Sequence, residues 1–100
     1  MEFPTQMYID GALTDGTRTQ EVHNPATETL VATVATAGLE DTERALQSAK
    51  AALPAWAAAS ISERQAWMRK LRDEVIVNED WLRSCVHHEM GKPWAQTEED

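Results

Sequence analysis

A chain of 100 residues, 42% hydrophobic and 26% charged, is apolar enough to fold, which excludes an intrinsically disordered class. Nine Lys and Arg against 17 Asp and Glu leave a formal charge of −8; such a surface repels phosphate backbones and anionic lipid, so neither nucleic acid nor a membrane is an expected partner. A single cysteine, Cys85, excludes an intramolecular disulfide and a multi-cysteine metal site, no basic-then-apolar secretory signal opens the chain, and no apolar run nears the roughly 20 residues a bilayer requires. Together these features point to a reducing, cytoplasmic setting.

Met7 to Leu13 reads as a β-hairpin, because Asp10-Gly11 stands between apolar residues and that dipeptide tolerates the positive φ of a type I′ turn. A second extended segment runs from Thr19 to His23 and is ended by Asn24-Pro25, since the residue before proline is pushed away from helical geometry. Leu30 to Ala35 alternates Leu30, Ala32 and Val34 against Val31, Thr33 and Ala35, the pattern of a strand between two layers. Residues 1–37 are therefore read as strands and turns.

From Glu40 the period becomes helical. Leu46, Ala49, Leu53 and Trp56 trace one face, Asp41 is the expected N-cap, and Pro54 is expected to kink the helix or tighten its last turn. Ser60-Ile61-Ser62-Glu63 fits the capping box and opens a second helix, with Arg64, Met68, Leu71 and Val75 on one face. Asn78, followed by Glu79 and Asp80, is expected to cap a third helix, in which Leu82, Cys85, Val86, Glu89 and Met90 recur at helical spacing. Gly91 is expected to end that helix and Pro93 to be the first residue of a fourth. The helical part is thus residues 38–100, and the absence of a stop signal near Asp100 reads as the edge of a longer chain.

Few residues point to chemistry. Cys85 lies on an apolar helical face, which suits packing better than a reactive thiolate. His87-His88-Glu89 lacks the i, i+4 spacing of a helical zinc motif, and Gly11, Gly16, Gly38 and Gly91 form no phosphate-binding loop. Glu89 shares its face with Leu82, Cys85 and Val86, and a carboxylate on a buried stripe must pair with a cation, accept N–H bonds or neutralise. An Arg partner satisfies that need, as does a Na⁺ or K⁺ ion completed by backbone carbonyls. Trp56, Trp67 and Trp81 suit the joining of helix faces, whereas Trp94 is expected to pack on another part of the protein or a partner.

Taken in order, Tyr8-Ile9-Asp10-Gly11, Asn24-Pro25-Ala26-Thr27, the helix Ala45…Ala49…Ala52…Trp56, Arg64 with Leu71, and Glu89-Met90-Gly91-Lys92-Pro93 resemble the start of the aldehyde dehydrogenase superfamily. The resemblance covers nearly all of residues 7–99, and its tone is that of the branch including succinate-semialdehyde dehydrogenases. It implies an α/β fold, with an N-terminal β-hairpin and strands followed by three to four helices, as part of a Rossmann-type cofactor-binding domain. It also implies NAD or NADP as cofactor, a small aldehyde as substrate and a homo-oligomer. In the family a cysteine thiolate attacks the aldehyde, hydride passes to the nicotinamide, and a glutamate-activated water releases the acid. Those groups lie downstream of Asp100 in the family, and Cys85 does not match the nucleophile's motif, so no catalytic or cofactor-binding residue is assigned here.

The resemblance further implies a Na⁺ or K⁺ site built from the backbone oxygens of Val22 and His23 with the carboxylate of Glu89. One departure stands out: the family often has Gly-Glu after Asn-Pro-Ala-Thr, where this chain has Glu28-Thr29, so a different turn is expected there. The principal reading is an N-terminal scaffold of an NAD(P)-dependent aldehyde dehydrogenase. The alternative is a stand-alone acidic helical interaction module without catalysis; a DNA-binding domain is disfavoured by the charge.

Overall fold

A computed structural model describes residues 2–99, which pack as two compact units. One unit comprises residues 2–23 with Leu30–Ala58, the other Asn24–Thr29 with residues 59–99.

The first unit begins with the expected hairpin. Strands β1 (Met7–Ile9) and β2 (Ala12–Thr14) are antiparallel, with Met7 opposite Thr14 and Ile9 opposite Ala12. Asp10 and Gly11 take φ of 53° and 76° at the turn, as a type I′ connection requires. Strands β3 (Arg18–His23) and β4 (Leu30–Thr36) form a second antiparallel pair, whose register slips between Val22 and His23. Ahead of β1, the Thr5 carbonyl accepts the Ala35 N–H at 2.7 Å. Gly16 lies so near this pair that a Cβ there would collide with the Thr36 carbonyl.

Helix α1 (Leu39–Ala58) follows, and its Ser48 hydroxyl donates to the Asp10 carboxylate at 2.9 Å, tying the helix to the first hairpin. Its N-terminus corrects the expected cap. Gly38 occupies that position, its carbonyl accepting the Thr42 N–H at 3.0 Å, while Asp41 stands two residues inside the helix start. From there the Asp41 carboxylate reaches back to the Gly38 N–H at 3.0 Å and takes Arg44 at 3.1 Å. An acid at this position satisfies an orphan donor as well as a cap would, and it lies where the helix dipole favours negative charge. At the other end the helix continues through Pro54 to Ala58 without an irregular last turn.

The second unit opens its helical part with α2 (Ile61–Val77), capped as expected. The Glu63 N–H donates to Ser60 Oγ at 3.2 Å, and the Ser60 N–H donates to Glu63 Oε2 at 2.6 Å. Helix α3 (Glu79–Met90) starts after Asn78, which holds the N-cap position as expected, its carbonyl accepting the Leu82 N–H at 3.0 Å, although its side chain makes no cap bond to α3. The Asn78 amide instead donates to the Glu74 carbonyl at 2.8 Å, beside the backbone N–H at 3.1 Å, and so finishes α2. Gly91 ends α3 in the left-handed region at φ 67°.

The expected fourth helix is a 3-10 helix, Trp94–Glu99, and Pro93 precedes it rather than opening it. The Trp94 carbonyl at its start accepts from Thr97 Oγ1 at 2.7 Å and from Arg83 at 3.2 Å.

The α/β class holds, with both sheets two-stranded and antiparallel. The apolar faces read from the sequence exist, yet among the described residues no hydrophobic side chain is buried. Leu46, Leu53, Met68 and Leu71 all remain more than half exposed. The buried residues are polar: Asn24, Asp41 and Thr97.

Because the Ser60 hydroxyl oxygen accepts the Glu63 N–H in the α2 cap, Ser60→Ala should cost about 1 kcal/mol, read as a drop in the urea midpoint. The Ser60 N–H, then the Ser60 hydroxyl, hold the Glu63 carboxyl below its ordinary range. A folded-state pKa below the unfolded one adds stability above the unfolded value, and that stability is lost as pH falls through the folded value. The thermal midpoint should therefore fall more steeply on acidification through the carboxylate range than it does in Glu63→Gln; parallel curves would remove the cap from the acid response.

Candidate functional site

Asn24-Pro25 cannot continue β3, and the short polar side chain of Asn is suited to bond its own backbone. Asn24 Oδ1 accepts the Ala26 N–H at 2.9 Å, closing an Asx-turn. The Asn24 N–H donates to the Thr29 carbonyl at 2.9 Å, and the Asn24 carbonyl accepts the Glu28 N–H at 2.7 Å. One buried residue thus fixes the whole turn 24–29. Glu28 is held at φ 61° within it. At the position where the family often has glycine, this turn places a glutamate in the left-handed region.

This turn packs on the end of α3. A Cβ on Gly91 would stand 3.1 Å from Ala26 N and Cβ and 3.2 Å from Pro25 Cγ, so Gly91 is required twice, for its φ and for this close approach. The second unit therefore brings together Asn24-Pro25-Ala26-Thr27 and Glu89-Met90-Gly91-Lys92-Pro93, two motifs more than sixty residues apart in the sequence.

The residues expected to bind a cation fall in both units. Val22 is half-buried and His23 exposed at the end of β3, on either side of the register slip, and His23 Nε2 lies 3.6 Å from Glu21 Oε2. Glu89 belongs to the second unit and is exposed, which corrects the expectation of a carboxylate on a buried stripe. Open to solvent, it keeps its hydration. Nor does an Arg pair with it among the described residues: Arg83 takes Glu79 at 3.3 Å, one turn earlier on α3.

Cys85 is half-buried, and burial pushes its thiol up, with the negative charge of Glu89 adding to the effect. Such a thiol is a poor nucleophile at neutral pH. It lines a groove of about 560 Å³ with Val75, Ile76, Leu82 and Val86. The histidines act on backbone. His87 Nδ1 lies 2.6 Å from the Lys92 carbonyl and His88 Nδ1 2.7 Å from the Ser84 carbonyl; a carbonyl only accepts, so each Nδ1 carries the proton.

Arg83 is the residue whose role the sequence left unread. Its Nε donates to Thr97 Oγ1 at 2.9 Å, its Nη2 to the Trp94 carbonyl, and its guanidinium stands 4.6 Å from the Trp94 ring centre. His87 meets the same ring edge-on. Trp94, expected to seek cover elsewhere, is thus held locally and stays 44% exposed.

Comparison with known proteins accounts for these conjunctions. Residues 13–100 match the profile of the aldehyde dehydrogenase family, and the chain belongs to that family. Glutarate-semialdehyde dehydrogenases of Pseudomonas aeruginosa and Pseudomonas putida are each 40% identical to it over 96 residues. Each alignment covers 94% of this chain and 20% of the relative. The structure of succinate-semialdehyde dehydrogenase from Burkholderia pseudomallei superposes with a TM-score of 0.89 at 36% identity, covering 96% of this chain and 20% of the other. The structure of PnpE in complex with nicotinamide adenine dinucleotide gives 0.87 at 30% identity, covering 93% and 20%. The chain therefore spans about one fifth of the length of these relatives, in the semialdehyde dehydrogenase-like branch.

The two left-handed residues of this region should respond oppositely to substitution. Relief of about 1–2 kcal/mol of left-handed strain, less the roughly 0.5–1 kcal/mol entropic penalty of glycine, leaves Glu28→Gly more stable by up to about 1.5 kcal/mol. Gly91→Ala should lose at least about 1–2 kcal/mol, since its strain comes with a clash. Urea denaturation of both variants measures the pair, and a loss for Glu28→Gly would refute the strain at that turn.

Proposed function

We propose that this chain is the N-terminal scaffold of an NAD-dependent aldehyde dehydrogenase that oxidises a semialdehyde to the corresponding dicarboxylic acid. The observation that carries the reading is the continuous family match over 13–100, joined to apolar helix faces that the described residues leave uncovered. A stand-alone acidic module is disfavoured on the same ground, because it would have to bury a core of its own. In this reading residues 38–100 contribute helices to a Rossmann-type cofactor-binding domain, and residues 1–37 supply strands to a homo-oligomer. The semialdehyde class follows the relatives' names, and NAD follows the cofactor bound to PnpE. A cytoplasmic setting is in keeping with described helices too short or too polar to cross a membrane.

The chain's own contribution to chemistry is positional. Asn24 fixes the turn, Gly91 lets it approach α3, and Arg83 and His87 hold the segment Lys92–Thr97. We also propose that Val22 and His23 backbone oxygens and the Glu89 carboxylate take a Na⁺ or K⁺ ion. Supporting this are the hard oxygen chemistry of the three donors, the register slip at Val22–His23, which disrupts regular ladder pairing, and a Glu89 carboxylate with no ion pair among the described residues.

The full-length protein should reduce NAD⁺ in the presence of glutarate or succinate semialdehyde, followed by NADH absorbance. Activity with neither, nor with any simple aldehyde, would defeat the enzyme reading. For the cation, the wild-type protein should gain thermal stability on replacing a bulky organic cation with K⁺ at constant ionic strength, and Glu89→Ala should lose that gain. An equal response in both proteins would remove Glu89 from the site.

A further inference from the structure

We draw no further inference here: the strongest candidate, the apolar groove around Cys85 between the end of α2, α3 and the 3-10 helix, is an unpartnered face, and nothing in the structure shows what covers it.

Discussion

Apolar surface taken from water contributes about 25 cal/mol per Å², and it is the main force behind most folded domains. In this chain the apolar residues are present at helical spacing, but among those described none is buried. What orders the elements locally is therefore hydrogen bonding by side chains to backbone: Asn24 within its turn, Asp41 at the start of α1, Ser60 and Glu63 at the start of α2, and Thr97 with Arg83 at the 3-10 helix. The bonds of Asp41, Ser60 and Glu63 satisfy backbone N–H groups that would otherwise be orphaned at a helix start. Such bonds fix where helices begin and end; they supply much less free energy than a covered core, each being worth about 1 kcal/mol net.

Features whose partners are close in sequence were readable from it. Asp10-Gly11 needs no third residue to make its turn, and Ser60 and Glu63 complete each other across three positions. Readings failed where a second acceptor or donor competed. Asn78 holds the α3 N-cap position, yet its side-chain amide goes to the Glu74 carbonyl, and pattern alone does not rank the two uses of that side chain. At the helix after Pro93, the Trp94 carbonyl is bonded by Arg83, eleven residues earlier in the chain, a partner that helical periodicity does not reveal. Glu89 was read as buried because its neighbours on the helix are apolar, although a stripe is buried only when something lies over it.

The family resemblance rested on short motifs, and the structure gives two of them a common physical purpose. Pro25-Ala26 and Gly91 are the two sides of one contact, in which a turn lies so near a helix terminus that a Cβ at position 91 would be crowded. At Glu28-Thr29 the path is set from within the turn. Backbone bonds from Asn24 to Thr29 and Glu28 determine the path, so an unfavourable residue is carried into the left-handed region instead of redirecting the chain.

The distance in sequence between that turn and Gly91 has a consequence in time. A ribosome adds about 5–20 residues per second, so several seconds separate synthesis of Pro25-Ala26 from synthesis of the glycine against which they rest. The turn's internal bonds need no later residue and form on the microsecond scale of hairpins, about 1–10 μs. During a long interval at the exit tunnel, the nascent chain thus carries a finished loop whose docking surface has yet to be translated.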